Sequence, residues 1–330
     1  MRLLKSPVRS VARYAAAAVF ISISVLSSGA SAMKWLAGPQ GGGWYAMAEG
    51  LTALVNRDDP SLDLKVAAGG GKENPLHIQA GRGQIGMSID FLVAAAYAGK
   101  APYEDTPMTK INTLGAGWSP LPFHLLRAAT ANPDLRAAIT GRGFRIAIPP
   151  KDTSDELTFQ RVLAFYGTSY DRIERDGGAI VFGNYDQIAA ALKEGKVDYL
   201  FGATTKPASV ITDIGNGPRE IALTAMPADL MTSLATTYGY GRGVIPNGTY
   251  PKLQSSDVET TFMETIFMIS ADVSEDEAYR VTKALLKHRA ELASINASLA
   301  GFDPAKAWQN LPVPLHPGAA RAYRELGYMK

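Results

Sequence analysis

The sequence contains no cysteine among its 330 residues. This absence excludes structural disulfides, a thiol nucleophile, zinc held by cysteine, and the lipid-modified cysteine that tethers some exported proteins. Histidine is scarce, with only four residues. His77 and His288 fall in helical patterns and His316 in the turn "LHPGA", so no metal cluster or catalytic triad can be recognised from their spacing. We therefore expect no metal site and no cofactor.

The chain carries little net charge once its first residues are set apart. Lys and Arg number 33 and Asp and Glu 31, and four of the basic residues lie within residues 1–32. Without that segment, 29 basic residues face 31 acidic ones, a formal net charge of −2. Because the sequence has no lysine or arginine run, binding to a phosphate backbone has no electrostatic basis. We expect no nucleic-acid partner.

Residues 1–32 have the composition of a signal peptide. Four basic residues flank or precede the apolar run "AAAAVFISISVLSS", and "GASA" places small residues at Ala30 and Ala32. The run is too short, and lies too close to the first residue, to be expected as a membrane-spanning helix. We expect cleavage near Ala32 and export of a monomer to the periplasm. The alternative is an uncleaved N-terminal anchor.

Short apolar strands alternate with helical patterns along the rest of the chain. The first series contains the strands "MKWLA", "LDLKVAA" and "QIGMSI", each followed by a helix, the third of which starts at Asp90 as N-cap. The second series contains the strands "FRIAIP", "AIVFG" and "VDYLFGA", with helices over Thr153 to Tyr166 and "YDQIAAALKE". This order predicts two α/β halves, each with a mainly parallel sheet whose binding crevice lies at the carboxyl ends of its strands.

The last third of the sequence is less regular. "GYGRGVIPNGTYP" is typical of an extended loop, and "ETIFMIS" of a strand. From Ser274 to Asn296 an apolar stripe at helical spacing predicts one long helix, opened by a capping box between Ser274 and Glu277. His288 lies on the core side of that stripe.

Two glycine clusters, "GPQGGGWY" and "GGGKEN", each follow a predicted strand and open a predicted helix. Neither has the spacing of a Walker loop or of a dinucleotide-binding fingerprint. Backbone N–H groups at a helix start are unpaired and carry partial positive charge, and glycine lets a ligand approach them closely. The clusters therefore predict a site for a small anion such as a carboxylate. The alternative is that the glycines only form tight turns.

The chain resembles the solute-binding proteins of the TAXI branch of tripartite ATP-independent periplasmic (TRAP) transporters. The resemblance covers nearly all of residues 33–330 and is most specific at "IPNGTYP" and at the terminal "LPVPLHPGAARAYRELGY". It implies a two-lobed, type II-like periplasmic-binding-protein fold that closes on its ligand like a Venus flytrap and hands it to membrane permease subunits. The implied lobes are residues 33–121 with 266–330, and residues 122–265. The implied hinge strands are "PFHLLRA", which contains His124, and "ETIFMIS".

Transferred position by position, the resemblance and the residues around it place a ligand site in both lobes. The predicted ligand-binding residues are Gly42, Gly43, Trp44, Tyr45, Asn74, Ser88, Asp90, Thr153, Ser154, Lys206 and Tyr250.

The second-lobe loop departs from the family pattern. The usual Gly-Ser-Gly-Thr is replaced by "KDTSDE", which puts Asp152, Asp155 and Glu156 around Thr153 and Ser154. These acids would repel a second carboxylate, so a solute with one carboxylate and an amine or hydroxyl at its other end fits better than a dicarboxylate. Alternatively, the acids only interact favourably with the dipole at the start of the helix, and Thr153 and Glu156 form a capping box there.

Two other classes of function remain open from the sequence. Tyr45, Asp90 and Ser154 could serve as acid–base groups in an enzyme, although the spacing identifies no second catalytic partner. A periplasmic binding partner of a sensor or signalling receptor would share the same cleft. We expect a transport receptor for an amino acid or organic acid rather than an enzyme.

Overall fold

A computed structural model describes residue 1 and residues 32–38, 40, 43–104 and 106–330. Residues 2–31 and Gly42 lie outside the described residues, so the signal-peptide prediction and the predicted role of Gly42 stay predictions. In the part of the chain that is described, no helix combines the length and the apolar character needed to cross a membrane.

Strands and helices alternate through most of the chain. The strands are β1 Lys34–Leu36, β2 Lys65–Ala67, β3 Ile85–Ile89, β4 Ile111–Thr113, β5 Ser119–Ala128, β6 Arg145–Ile148, β7 Ala179–Phe182, β8 Tyr199–Ala203, β9 Ile221–Thr224, β10 Gly241–Ile245 and β11 Val258–Ser270. The α-helices are α1 Gly43–Asp58, α2 Asn74–Gln79, α3 Asp90–Ala98, α4 Leu135–Thr140, α5 Ser154–Phe165, α6 Tyr170–Arg175, α7 Tyr185–Lys193, α8 Ser209–Gly215, α9 Ala228–Tyr238, α10 Glu275–Lys287, α11 Leu292–Ile295 and α12 Pro317–Glu325. Short 3₁₀ helices cover Pro60–Leu62, Arg289–Glu291 and Ala297–Gly301.

The sheet repeats one arrangement in two lobes. In the first lobe β2, β1 and β3 lie side by side and parallel, and in the second lobe β7, β6 and β8 do the same. Each parallel set is bordered by a long antiparallel strand, β11 beside β3 and β5 beside β8. These long strands pair with each other where residues 119–122 meet residues 262–265. The predicted α/β fold with a mainly parallel sheet in each lobe is confirmed.

The apolar strands are covered on both faces, as parallel sheets require. All five residues of β3 are buried. In the first lobe, Trp118 stacks on Phe302 with ring centroids 3.9 Å apart and on Phe267 at 4.6 Å. In the second lobe, Phe123 of β5 stacks on Phe201 of β8 at 4.8 Å. The long strand β11 therefore contributes to the core of the first lobe, and β5 to the core of the second.

Three local predictions need correction. The strand β10 occupies part of the predicted loop "GYGRGVIPNGTYP", because Gly241 and Gly243 leave the room that the ring of Phe262 on β11 takes. Asp90 is the first residue of α3 and not its N-cap, because β3 runs directly into the helix at Ile89.

The third correction concerns the long helix predicted to end at Asn296. The capping box between Ser274 and Glu277 is confirmed, but α10 ends at Lys287. His288 caps it, with its imidazole bound to Asp58 at 2.9 Å and to Glu291 at 2.8 Å. These contacts accompany a change to 3₁₀ geometry after His288, and the chain resumes as the short helix α11.

Candidate functional site

A cavity of about 570 Å³ lies between the two lobes. Ligand sites for small molecules have volumes of this order. Its walls come from both lobes and its floor from the two long strands. The lining residues are Gly38, Gly43, Trp44 and residues 69–73 of the first lobe, Ser119, Leu121 and Met263 of the long strands, residues 151–155, Tyr185 and residues 203–205 of the second lobe, and Asn296.

The start of α1 forms part of the first-lobe wall. Gly43 is the first residue of this helix, and a Cβ added there would meet no atom within 4 Å among the described residues. The indole of Trp44 lines the cavity close to Gly71, where an added Cβ would lie 3.4 Å from the ring. The first amides of a helix have no intrahelical acceptor, so this wall offers N–H groups beside open space. Tyr45 instead packs against the first-lobe core.

The second glycine cluster forms the neighbouring part of this wall, and Asn74 and Ser88 hold it from behind. Asn74 is fully buried and donates to the carbonyl oxygens of Ala37 and Met87, both at 2.8 Å. Its Oδ1 accepts from the amide of Gly70 at 3.1 Å.

The Asn74 and Ser88 side chains both contact the glycine backbone, Asn74 at Gly69 and Ser88 at Gly71. A Cβ at Gly69 would lie 2.1 Å from Asn74 Oδ1, so only glycine leaves room for the asparagine there. Ser88 Oγ donates to the carbonyl oxygen of Gly71 at 2.5 Å. Both predicted ligand residues therefore bind the glycine backbone that lines the cavity.

The start of α5 forms the second-lobe wall. Thr153 is the N-cap of this helix, and its Oγ1 accepts from the amide of Glu156 at 3.3 Å. The alternative capping box is only half formed, because the Glu156 carboxylate is turned to the protein interior and accepts from Gln160 at 2.6 Å and from Tyr170 at 2.8 Å. Thr153 and Ser154 both line the cavity, as predicted from the sequence.

The three acids of "KDTSDE" have three different environments. Glu156 faces the core, and Asp152 is exposed at the rim. Asp155 lines the cavity and is only 9% exposed. Its Oδ1 accepts from the amide of Ala203 at 2.6 Å and lies 3.0 Å from the hydroxyl of Tyr185. Burial raises the pKa of the Asp155 carboxyl above its usual value, and these hydrogen bonds oppose that rise.

A single ion pair crosses the rim between described residues of the two lobes. Lys72 Nζ lies 3.3 Å from Asp152 Oδ1, and Asp152 has a left-handed backbone with φ of 65°. Lys206, the cation predicted at the cleft edge, is exposed outside the cavity lining, and its Nζ donates to the carbonyl oxygen of Val244 at 3.0 Å. The cation that reaches this part of the cleft from the first lobe is thus Lys72.

Asp90 lies outside the cavity lining, beside Glu264 of β11. Its Oδ1 accepts from the amide of Phe91 at 2.8 Å. Burial, with a smaller contribution from the neighbouring Glu264 charge, raises the pKa of Asp90 to about 7. The carboxyl is therefore near its titration point at neutral pH, although no cavity wall includes it.

Tyr250 and His124 form a buried support for β5 and not a cavity surface. The Tyr250 hydroxyl accepts from the amide of Ala208 at 2.9 Å and lies 3.0 Å from His124 Nε2. His124 Nδ1 lies 3.0 Å from the carbonyl oxygen of Pro122, to which it donates. Burial lowers the pKa of His124 to about 4, so the ring is neutral and Nε2 accepts the Tyr250 proton. His124, which lies on an implied hinge strand, thus binds the backbone of its own strand and the Tyr250 hydroxyl.

Sequence reasoning did not select several lining residues. Tyr185, Asn296, Thr204 and the floor residues Leu121 and Met263 carry no motif by themselves, because they come together only through the strand order. Asp155 was noted as part of "KDTSDE" but was not among the predicted ligand-binding residues. Lys72 had a signal, since it follows the glycine cluster "GGGKEN" directly. Among the described residues, no group of three or more His, Asp or Glu side chains is arranged to hold a metal ion.

Solved structures with the same architecture were found at low sequence identity. MatC from Rhodopseudomonas palustris with bound malate is similar over 89% of this chain and 96% of that chain, with 14% identity and a TM-score of 0.51. A putative L-cystine ABC transporter from Listeria monocytogenes is similar over 82% and 96% of the two chains, with 13% identity and a TM-score of 0.47. At 14% identity the likeness to MatC shows the fold alone, which is the two-lobed periplasmic-binding-protein fold.

The sequence itself also matches a known family over most of its length. The match covers residues 35–327 and so includes both lobes, both glycine clusters and the residues of the cavity. The chain belongs to the NMT1-like family.

Proposed function

We propose that this protein is an extracytoplasmic solute-binding receptor that captures a small carboxylate-bearing solute, an amino acid or an organic acid, between its two lobes. The observation that carries this proposal is the cavity itself, which is walled by the starts of α1 and α5 from opposite lobes. A solute in this cavity gains partners from both lobes only when the cleft is closed. Its binding energy therefore shifts the equilibrium between open and closed forms.

The solute carboxylate binds at the start of α1. The first amides of a helix have no intrahelical acceptor, and Gly43 has no side chain to hold an anion away from them. Asn74 and Ser88 keep the adjoining glycine backbone in place, which prepares the wall before the solute arrives. A carboxylate is a ligand of suitable size and charge for such a surface, and MatC, which shares the fold, was solved with malate.

The other polar end of the solute meets the second-lobe wall. Thr153, Ser154 and Thr204 bring hydroxyl groups to the cavity, and Asp155 brings a carboxyl group. The cavity lining also includes the apolar surfaces of Trp44, Leu121 and Met263. This distribution favours a solute with one carboxylate, a short apolar body and a hydrogen-bond donor at the far end over a dicarboxylate.

We further propose that the receptor acts in the periplasm and delivers its solute to the permease of a TRAP transporter. Support comes from the segments "IPNGTYP" and "LPVPLHPGAARAYRELGY", which resemble the TAXI branch of these receptors. Deletion of the gene should abolish uptake of the solute by intact cells. Uptake that continues unchanged, with loss of a transcriptional response to the solute, would indicate the sensor function instead.

Receptor function can be tested with the protein comprising residues 33–330. Thermal-shift screening of amino acids and organic acids should identify solutes that raise the melting temperature, because a ligand that binds only the folded protein stabilises it. Small-angle scattering should then give a smaller radius of gyration with the solute than without it. Binding without compaction would contradict enclosure between the lobes.

A further inference from the structure

Asp155 is a buried acid that lines the cavity and, among the described residues, forms no ion pair. Only 9% of the residue is exposed, yet it lines the cavity. Among the described residues, the hydrogen-bond partners of its carboxyl in other residues are the amide of Ala203 and the hydroxyls of Tyr185 and Ser154, none of which carries a charge. A buried carboxylate is costly unless a counter-charge is close. The Asp155 carboxyl is therefore suited to form an ion pair with a cation bound in the cavity.

The hydrogen bonds of Asp155 leave one carboxylate oxygen largely free. The closest donor, the Ala203 amide at 2.6 Å, binds Oδ1. Tyr185 also approaches Oδ1, but its single hydroxyl proton is shared with the carbonyl oxygen of Ala203, which is closer at 2.7 Å. Among the described residues, the side-chain donor that approaches Oδ2 is Ser154 Oγ, at the long distance of 3.5 Å. Oδ2 can thus accept strong hydrogen bonds from a group in the cavity.

We propose that Asp155 binds an ammonium group of the solute, so that the receptor takes a zwitterion whose carboxylate lies at the start of α1 and whose ammonium lies at Asp155. This inference rests on the proposed receptor function. An ammonium group supplies both the missing counter-charge and the donors that Oδ2 lacks.

The alternatives leave the carboxyl poorly compensated. A hydroxyl group would give Oδ2 a donor but would leave the buried charge unpaired. A second carboxylate on the solute would be repelled, or would bind only after Asp155 takes up a proton. The apolar floor of Leu121 and Met263, paired across β5 and β11, also lines the cavity and suits the aliphatic or aromatic part of an amino acid. Amino acids with apolar side chains are therefore the expected solute class.

The inference is tested with matched pairs of solutes that differ only in the amino group. Each pair is an apolar amino acid and its deaminated acid, such as leucine with 4-methylpentanoate or phenylalanine with 3-phenylpropanoate. Calorimetric titration of the wild-type protein should show that the amino acid binds about ten- to a hundredfold more tightly, as expected for a charge-assisted hydrogen bond. The Asp155→Asn variant keeps the size and one acceptor oxygen, and it should lose this preference.

Asp186→Asn provides the control. Asp186 also lies in the first turn of a helix, α7, but it is exposed and outside this cavity. This variant should keep the wild-type preference. Should Asp155→Asn fail to fold, the wild-type pairs alone decide the question.

The outcomes separate this inference from the proposed function. Equal or tighter binding of the deaminated acids by the wild-type protein would overturn the ammonium site and leave the carboxylate receptor intact. The same holds for a preference that survives in Asp155→Asn. If neither member of any pair binds, and no other carboxylate in the screen does, both the receptor proposal and the ammonium site are contradicted.

Discussion

The two walls of the cavity are built from different parts of the chain. The first-lobe wall is mostly glycine backbone, to which Asn74 and Ser88 bind from behind, although Lys72 and Glu73 also line it. The second-lobe wall presents side chains directly, with Thr153, Ser154 and Asp155 at the start of α5. The first wall can hold any small anion, because every residue supplies the same amide. The second wall can select among solutes, because its chemistry depends on which residues stand there.

The largest expected effect comes from removing the support of the first wall. Asn74→Ala would leave the Gly70 amide and the carbonyl oxygens of Ala37 and Met87 without their buried partner. We expect the free energy of unfolding to fall by about 3–5 kcal/mol, since each orphaned polar group costs about 1–3 kcal/mol. Urea unfolding followed by circular dichroism measures this loss.

Asn56→Ala is a useful comparison for Asn74→Ala. Asn56 also bonds backbone on both sides of its amide, to Leu64, but it is only half-buried and far from the cavity. Its loss should cost less. A variant Asn74→Ala that keeps full stability yet loses affinity would show that Asn74 contacts the solute and not only the wall.

The next effect distinguishes the buried acids of the two lobes. Asp90 has a pKa of about 7 in the folded protein against 3.8 in the unfolded chain. The folded state therefore binds this proton more tightly, so the contribution of Asp90 to stability is lost as the pH rises from about 4 to about 7. Asp90→Asn should flatten this part of the pH profile and raise the free energy of unfolding at pH 8 by about 2–3 kcal/mol.

Asp90→Asn should leave solute affinity unchanged, because Asp90 is not part of the cavity lining. Denaturation at several pH values and calorimetry on the same variant measure the two quantities separately. A large loss of affinity with an unchanged pH profile would place the solute amine at Asp90, one of the ligand-binding residues predicted from the sequence, and would remove the contrast with Asp155.

The smallest effect is expected at the rim, where Lys72 and Asp152 connect the walls at 3.3 Å. Exposed ion pairs contribute below about 1 kcal/mol and are screened by salt. Lys72→Ala and Asp152→Ala should each change solute affinity less than about fivefold, and the double variant should add little. Titrations at low and high salt test this. A much larger effect of Lys72→Ala alone would mean that Lys72 binds the solute carboxylate.

The sequence predicted part of each wall, since Gly43 and Trp44 of the first and Thr153 and Ser154 of the second line the cavity. Glycine clusters that follow strands indicate exposed backbone at the start of a helix. This prediction depends only on local sequence, and both Gly43 and Trp44 line the cavity. The alternation of apolar strands with helices likewise predicted both parallel sets of strands. Asn74 and Ser88 were predicted as ligand-binding residues, but the direction of their side chains could not be predicted, because it depends on the close approach of Gly69 to Asn74 and on the hydrogen bond from Ser88 to the Gly71 carbonyl oxygen.

The second wall depends on which of several adjacent polar residues faces inward. In "KDTSDE", Asp152, Asp155 and Glu156 are equivalent by composition, and only the N-cap at Thr153 determines which carboxyl turns towards Ala203. The strand β10 was missed for a related reason, since its glycines are explained only by Phe262 on the neighbouring strand. Lys206 and Tyr250 were selected from their segments, while the folded chain directs them to Val244 and His124.

The central claim, that a carboxylate binds at the amides of α1, is tested most directly by calorimetric titration of Gly43→Val with the solute found by screening. Gly301→Val is the matched control, because a Cβ there also meets no atom within 4 Å among the described residues and lies outside the cavity. We predict that Gly43→Val weakens binding by at least about tenfold with an unchanged melting temperature, since the valine side chain occupies the space of the anion, while Gly301→Val binds as the wild type does. Unchanged affinity of a correctly folded Gly43→Val protein would contradict the claim and make the glycine cluster a turn.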